Sequence, residues 1–181
     1  YFDAEFGATL LSNIYDPTTK EGVLTFDSDV TQIGYKAFYE CEKLTSVTIP
    51  DSVTAIGEWA FYWCSSLTSV TIGDSVTTIG GSAFYDCDSL TSVTIPDSVT
   101  TIGEGAFWSC DSLTSVYCKA TTPPSIGSNV FYNNANSRKI YVPTASVNGY
   151  KSAYGWRGYA SYIVGYDFDK GEIATPKPAN N

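Results

Sequence analysis

The chain of 181 residues carries 10 basic and 19 acidic side chains and no histidine, and 43% of its residues are hydrophobic. This composition is typical of a folded protein that is long enough to build one continuous core. The net charge of −9 disfavours nucleic acid and anionic membranes as partners, no window is apolar for long enough to insert into a membrane, and the commonest general base and metal ligand is absent.

The first twenty residues precede any repeat. The segment 8–16, ATLLSNIYD, mixes apolar and turn residues and predicts a short strand. The end of a stacked core needs such a cover, because an open core face and sheet edge invite aggregation. We therefore assign residues 1–20 to an N-terminal capping segment. Because the chain begins with Tyr1 and not Met, we expect it to be a mature or trimmed piece of a longer protein.

Residues 44–112 repeat one 23-residue unit three times. The units read LTSVTIPDSVTAIGEWAFYWCSS, LTSVTIGDSVTTIGGSAFYDCDS and LTSVTIPDSVTTIGEGAFWSCDS. They begin at Leu44, Leu67 and Leu90, with a looser copy before them from Glu21 and another LTSV at Leu113. A fixed period of this length is typical of a solenoid, in which each coil buries its apolar face against its neighbours.

Each unit predicts a strand, a turn and a compact return. Val47 and Ile49 alternate with polar residues, as in a half-buried strand. Pro-Asp-Ser at 50–52 is typical of a turn. The stretch GEWAFYWC at 57–64 should carry alanine and phenylalanine inward on one helical turn. Stacked units should pair their strands in parallel, about 4.8 Å apart, at 46–49, 69–72, 92–95 and 115–118.

The pattern loosens after Leu113. Cys118 replaces the strand isoleucine, CKATTPPSIG holds one extra residue, and Asn134 stands where other units have cysteine. The following segments predict a strand (IYVP, 140–143), a short closing helix (NGYKSAYGW, 148–156), a last strand (YASYIVGYDF) and a polar tail from Asp169. We therefore assign residues 21–160 to a solenoid of about five to six coils, and residues 161–181 to a closing strand and polar tail.

The pattern LTSVTIPDSVTxIGxxAFxxC resembles the BspA-like (Treponema pallidum-type) leucine-rich repeats over residues 22–159. VYCKATTPPSIGSNVF and IYVPTASVNGYKSAYGW are similar to the terminal coils of such proteins from Bacteroidetes. The resemblance implies an α/β solenoid, a right-handed leucine-rich-repeat stack with a parallel β-sheet on one face and short helical turns opposite. It also implies a secreted or cell-surface protein with a role in adhesion, and the family has no catalytic motif to carry over.

Four cysteines form a column at 23-residue spacing: Cys41, Cys64, Cys87 and Cys110. A zinc site needs four thiolates around one point, which a column spread over four coils does not offer. Parallel side chains in register also fit the disulfide dihedral poorly. We therefore interpret the column as small core residues beside the phenylalanines, and we expect a hydroxyl at Cys64 to find no hydrogen-bond partner.

Two polar columns each allow a structural and a functional interpretation. The solvent side of the sheet should carry Ser46, Ser69, Ser92, Ser115, Thr48, Thr71, Thr94 and Tyr117. Repeat faces of this kind bind ligands, but the near uniformity of this one favours stabilising contacts between neighbouring strands. The second column comprises Asp51, Asp74 and Asp97. These carboxylates can bind Ca²⁺ or cap their turns, and turn capping explains them without an ion.

Large rings follow the core phenylalanine of each coil at Tyr39, Tyr62, Tyr85, Trp108 and Tyr132, with Trp59 and Trp63 beside them. Exposed rings stack on sugars or anchor a protein partner, and half-buried packing is the alternative. Residues 44–118 contain carboxylates but no lysine or arginine, which favours a cationic or neutral partner. The predicted binding residues, named the aromatic edge from here on, are Trp59, Tyr62, Trp63, Tyr85 and Trp108.

The sequence contains no nucleophile–base pair, phosphate-binding loop or metal-ligand cluster, so we expect no enzyme, no metal and no cofactor. The favoured interpretation is a non-enzymatic extracellular or cell-surface protein that presents a recognition surface for protein–protein interaction or adhesion. Two alternatives stay open: a glycan-binding surface protein that uses the exposed rings, and a passive structural spacer. Host matrix proteins and host glycans are the expected classes of partner.

Overall fold

A computed structural model describes residues 3–16, 18 and 21–174. The helices are α1 (Asp3–Phe6) and α2 (Val147–Ser152), with 3₁₀ segments at Thr144–Ser146 and Trp156–Tyr159. The strands are β1 (Leu10–Asp16), β2 (Glu21–Phe26), β3 (Gln32–Ile33), β4 (Ser46–Thr48), β5 (Ala55–Ile56), β6 (Ser69–Thr71), β7 (Thr78–Ile79), β8 (Ser92–Ile95), β9 (Thr101–Ile102), β10 (Ser115–Cys118), β11 (Ser125–Ile126), β12 (Lys139–Pro143), β13 (Ile163–Asp167) and β14 (Glu172–Ile173). None of the helices in these ranges is long and apolar enough to cross a bilayer.

The coils stack with their strands parallel and in register. The two-residue strands β3, β5, β7, β9 and β11 pair in chain order. The longer strands of the coils form a second column, in which β4 pairs with β6, and β8, β10, β12 and β13 pair in that order. Ser46 lies opposite Ser69, and Thr78 lies opposite Thr101, so each residue faces its equivalent one coil later. The predicted solenoid is confirmed.

Antiparallel pairs stand at both ends of the stack, β1 with β2 and β13 with β14. The predicted closing helix is a six-residue α-helix followed by a 3₁₀ segment. It buries two rings completely, and their polar atoms are satisfied: Tyr150 Oη donates to the Ala120 carbonyl at 2.9 Å, and Trp156 Nε1 donates to the Pro124 carbonyl at 2.7 Å. The division into residues 1–20, 21–160 and 161–181 stays a prediction, and the predicted tail beyond residue 174 lies outside the described residues.

A column of stacked phenylalanines runs through the core. Its rings, named the inner ladder, are Phe38, Phe61, Phe84, Phe107 and Phe131, with successive centroids 5.1, 5.1, 5.1 and 5.7 Å apart. The leucines that open the coils are fully buried at Leu67, Leu90 and Leu113. Leu44 was expected to be buried as well and is only half-buried. Its equivalent one coil earlier is Glu21, so the sequence supplies no apolar neighbour there.

The return segment at 57–64 consists of successive hydrogen-bonded turns, where the sequence analysis predicted one helical turn. Within the coil, amides donate three residues back, from Ala60 to Gly57, from Tyr62 to Trp59 and from Cys64 to Phe61. The alternate amides donate to the next coil, with Phe61 N 2.7 Å from the Ala83 carbonyl oxygen. A helix directs its amides along its own axis, so it cannot hydrogen-bond to a neighbouring coil in this way.

The glycine that begins each return segment lets neighbouring coils approach closely. A Cβ on Gly57 would lie 2.7 Å from the Gly34 carbonyl carbon, and one on Gly80 would lie 2.5 Å from the Gly57 carbonyl carbon. Any side chain there would push the coils apart. This close approach keeps the return segments in register and so aligns the side chains on their outer surface.

Candidate functional site

The rings that follow the inner ladder form a second ladder on the outside of the return segments. This outer ladder comprises Tyr39, Tyr62, Tyr85, Trp108 and Tyr132, with successive ring centroids 5.0, 5.0, 5.8 and 4.9 Å apart. The first three contacts are stacked, and the last is tilted by 55°. The structure therefore brings Tyr62, Tyr85 and Trp108 of the aromatic edge together as half-buried rings.

Trp59 belongs to a group of rings that shares Tyr39 with the outer ladder. Its ring centroid lies 6.0 Å from Tyr35, 6.2 Å from Tyr39 and 5.8 Å from Tyr62. The Lys36 ammonium lies 4.4 Å from the Trp59 centroid, 4.6 Å from Tyr39 and 5.3 Å from Tyr35. We name this group the Lys36 cluster: Lys36, Tyr35, Tyr39 and Trp59. Cation–π attraction explains the position of the lysine, because an ammonium is drawn to ring faces within about 6 Å.

The sequence analysis did not include Lys36 or Tyr35 in the site. The signal was available, since Lys36 stands 23 residues before Trp59 and therefore at the same position of the preceding coil. In-register stacking of consecutive coils places equivalent side chains next to each other.

Trp63 stands apart from both groups of rings. Its side chain is 45% exposed. Across the described residues, no other aromatic ring stacks on it. Its equivalents in the neighbouring coils are Glu40 and Asp86, and backbone hydrogen bonds from Glu40 N to Tyr62 O at 2.7 Å and from Trp63 N to Tyr85 O at 2.8 Å hold this register. An exposed ring is thus placed between two carboxylate positions.

Two positions in each return segment have left-handed backbone. One column comprises Lys36, Trp59, Ser82, Gly105 and Asn129, and the other comprises Glu40, Trp63, Asp86, Ser109 and Asn133. Glycine, asparagine and aspartate suit this conformation, whereas a residue with a bulky side chain costs about 1–2 kcal/mol there. Trp59 at φ 60° and Trp63 at φ 57° are therefore residues that the backbone itself disfavours.

Carboxylates crowd the outer surface next to Trp108. The pKa of Asp86 is raised, because desolvation and the charge of Asp111 together outweigh a hydrogen bond from Ser109 that lowers it. Desolvation, Asp111 and Asp86 all raise the pKa of Asp88. No lysine or arginine lies between residues 44 and 118 to offset this repulsion. The outer surface is therefore negative and favours positively charged ligands.

Three members of the cysteine column, Cys64, Cys87 and Cys110, belong to the core, and Cys41 is half-buried. The Cys64 thiol donates to the Phe38 carbonyl at 3.2 Å, Cys87 to Phe61 at 3.3 Å, and Cys110 to Phe84 at 3.1 Å. The expectation that a hydroxyl at Cys64 would lack a partner is therefore wrong, because in-register stacking brings a carbonyl of the preceding coil to each thiol. Burial raises the pKa of Cys64 to about 12, so this thiol stays protonated at neutral pH.

In the aspartate column, Asp51 Oδ1 accepts a hydrogen bond of 2.8 Å from the Asp74 amide one coil later. This carboxylate therefore links two coils, where the structural interpretation predicted a cap on its own turn. Within the described ranges, no three histidine, cysteine, aspartate or glutamate side chains are grouped in a way that could hold a metal ion.

The solvent side of the sheet is less uniform than the sequence analysis expected. The serine and threonine side chains of β4 and β6 are exposed, but Tyr117 and Tyr141 stack there with centroids 4.7 Å apart. Tyr166 of β13 contacts both rings at 5.3 Å. Tyrosines thus replace the hydroxyl columns toward the C-terminal end, and this face offers a second aromatic surface.

Two solved structures resemble this fold. The leucine-rich repeat protein of T. pallidum is 25% identical with a TM-score of 0.63, and the match covers 90% of this chain and 78% of that one. A leucine-rich cell surface protein from Faecalibacterium prausnitzii A2-165 is 26% identical with a TM-score of 0.57. That match covers 72% of this chain but only 36% of the Faecalibacterium protein. None of the curated proteins matches the chain.

The family profile described as the BspA type leucine rich repeat region matches residues 24–154 in six copies. The matched range contains the three repeated units at 44–112, the inner ladder and the aromatic edge. The chain belongs to the BspA type leucine-rich repeat family.

Proposed function

We propose that this chain is a non-enzymatic repeat protein of the cell exterior that binds a protein partner through the aromatic edge. The exposed ring of Trp63 is the observation that carries this proposal. Folding does not account for a large side chain that lies on unfavourable backbone at φ 57° and stacks on no described ring. Tryptophan in such a place is typical of a binding hot spot.

The fold supports a recognition role. Solenoids present extended surfaces, and residues that differ from coil to coil give such a surface its specificity. Position 63 of this chain is tryptophan, whereas the equivalent positions one and two coils later are Asp86 and Ser109. The similar Faecalibacterium protein is a leucine-rich cell surface protein, and this supports the proposed location.

A second candidate function is glycan binding on the solvent side of the sheet. The Tyr117, Tyr141 and Tyr166 rings lie within 5.3 Å of one another and combine flat faces with hydroxyl groups. Sugars are recognised by such a combination of stacking and hydrogen bonding. The two functions use different surfaces of the solenoid, so variants can separate them.

The test is a pull-down from host matrix proteins run beside a glycan array, followed by affinity measurements on variants. The double variant Trp63→Ala and Trp108→Ala is expected to weaken binding of a captured protein at least about tenfold. Thr71→Lys with Thr94→Lys, which alters the sheet face, should leave the affinity within about twofold. The reverse result would move the site to the sheet. Binding to glycans alone, lost on Tyr141→Ala, would favour the second candidate.

A further inference from the structure

The two tryptophans of the second coil have opposite neighbours. The residue that precedes Trp59 by one coil is Lys36, whose ammonium lies 4.4 Å from the Trp59 ring centroid. The residues one coil before and one coil after Trp63 are Glu40 and Asp86. Trp59 therefore has a cation within its own chain, whereas Trp63 has a carboxylate position on each side.

The Lys36 cluster shows that the rings on this surface can bind an ammonium group. Three rings surround the ammonium within 5.3 Å. Lys36 forms no ion pair with any described carboxylate; the ion pair found in the described residues joins Lys170 to Asp167. Ring faces alone therefore hold a primary ammonium in the first coil, an arrangement stabilised by about 0.5–2 kcal/mol in general.

Trp63 offers the same ring chemistry with added negative charge. Neighbouring coils lie about 4.8 Å apart, so Glu40 and Asp86 stand on either side of Trp63. The Asp86 carboxylate accepts a hydrogen bond from Ser109, one coil further on. Among the described residues, the lysines and arginines that lie over rings are Lys36, Arg138 and Arg157, and none of them lies over Trp63. Within residues 3–16, 18 and 21–174, the Trp63 ring and the two neighbouring carboxylates therefore receive no cation from a lysine or arginine.

We propose that Trp63, Glu40 and Asp86 form a binding site for a lysine or arginine side chain of a partner protein. This inference rests on the proposed function and specifies its partner: a protein with an exposed basic segment. Asp88 of the same coil and Asp111 of the next coil extend the negative surface from Asp86. A second cationic residue of the same segment meets carboxylates there as well.

Repulsion among the carboxylates beside Asp86 adds to the argument from the ring. Desolvation raises the pKa of Asp88, the like charges on Asp111 and Asp86 raise it further, and the chain has no lysine or arginine between residues 44 and 118. A bound cation removes this repulsion, and its binding is therefore favoured electrostatically as well as by the ring.

The probe is a capped seven-residue peptide in which glycine and lysine alternate, with a glutamine version as its neutral counterpart. Each is titrated into the full chain, with tryptophan fluorescence and calorimetry as readouts. The lysine peptide is expected to bind with a Kd on the order of 0.1 mM at low salt and more weakly at high salt, and the glutamine peptide should not bind. Equal binding of both peptides would overturn the proposal.

Three variants test the residues. Trp63→Asn should weaken the lysine peptide at least about fivefold, and it should fold, because Asn133 occupies the same left-handed position in a later coil. Glu40→Gln with Asp86→Asn should weaken it similarly. The matched control is Asp51→Asn with Asp74→Asn, which removes two charges from the column of Asp51, Asp74 and Asp97 and should leave the affinity within about twofold. An equal loss in the control, or no loss with Trp63→Asn, would refute the site.

The outcome separates this inference from the proposed function. If a captured protein partner depends on Trp63 and Trp108 but the lysine peptide does not bind, the aromatic edge is a recognition surface for other chemistry. If the peptide binds through Trp63 but the affinity for the captured partner does not change in either tryptophan variant, the cation site is supported and the proposed function is contradicted.

Discussion

The inner and outer ladders lie on the same return segments with nearly the same spacing between rings, yet they differ in the side chains that they tolerate. Centroids in both are about 5 Å apart, as the stacking of coils requires. Every ring of the inner ladder is phenylalanine, and Phe61, Phe84 and Phe107 are completely buried. The outer ladder mixes tyrosine with tryptophan, and the positions beside it range from tryptophan to aspartate, serine and glycine.

The difference shows where the repeat is constrained and where it is free. An inner ring fills a fixed volume in the core between the rings of the adjacent coils, so any other side chain leaves a cavity or overpacks. An outer ring meets water on one side and needs only a neighbour to stack on. Variation from coil to coil is therefore concentrated where the chain can present different side chains to a partner, which is where Trp63 lies.

Removing one ring from each ladder should give the largest difference in stability between the two. Phe84→Ala deletes a fully buried ring that stacks on Phe61 and Phe107, and we expect it to cost about 3–5 kcal/mol in the free energy of unfolding. Tyr85→Ala deletes the adjacent outer ring, which is half-buried, and should cost about 1–2 kcal/mol. Urea denaturation followed by circular dichroism measures both. Equal losses would mean that the outer ladder is as much core as the inner one.

The thiols beside the inner ladder test, with a smaller expected change in stability, how strictly the core constrains its side chains. Cys87→Ser keeps a donor for the Phe61 carbonyl, which the thiol reaches at 3.3 Å, whereas Cys87→Ala removes that donor. Both variants should cost about 1–2 kcal/mol, with serine no worse than alanine, because the hydroxyl has a hydrogen-bond partner. The measurement is the same urea titration. A serine variant less stable than the alanine variant by more than about 1 kcal/mol would show that the carbonyl does not accept this hydrogen bond.

The sequence was sufficient to predict the features that repeat every 23 residues. The period places Phe61 on Phe84 and Cys64 on Cys87, so burial, parallel pairing and register all follow from one alignment of the chain with itself. Solenoid coils contact only their neighbours, and each environment is therefore determined by the equivalent residues next to it.

Other features depend on contacts that the period does not encode. The inward positions of Ala60 and Phe61 suit a helical turn and stacked turns equally well, and only the amides that donate to the next coil decide between them. Tyr35, Lys36 and Tyr39 lie in the looser copy before Leu44, so their grouping around Trp59 depends on side chains that the later copies do not repeat. Tyr166 comes from β13, which lies beyond the repeats, so its contact with Tyr117 and Tyr141 follows from the closing strand.

Replacing the two tryptophans by asparagine should separate strain from packing. Asparagine accepts left-handed backbone, and it occurs naturally at the equivalent positions Asn129 and Asn133. Trp63→Asn should raise the free energy of unfolding by about 0.5–1 kcal/mol, because it relieves backbone strain and loses no ring contact. Trp59→Asn should lower it by about 1 kcal/mol, since it removes the ring that contacts Tyr62 and Lys36. Thermal unfolding of both variants tests the signs; a destabilised Trp63→Asn would mean that its ring packs.

The smallest effect concerns the charges beside the outer ladder. Asp86 and Asp88 have raised pKa values, so the folded chain binds protons more tightly there than the unfolded chain does. Stability contributed by these groups is therefore present at low pH and lost as pH rises above about 4, the ordinary range of an aspartate. Asp86→Asn with Asp88→Asn should be more stable than the parent at pH 7, and the gap should close below about pH 4. The stability difference is small because the carboxylates face solvent.

Asp27→Asn is the control with the opposite sign. The Thr9 amide, 2.9 Å away, lowers the pKa of Asp27, so this variant should be less stable than the parent at pH 7. Urea midpoints across pH 3–8 measure both signs, and a double variant less stable than the parent at pH 7 would mean that these carboxylates do not repel one another in the folded chain.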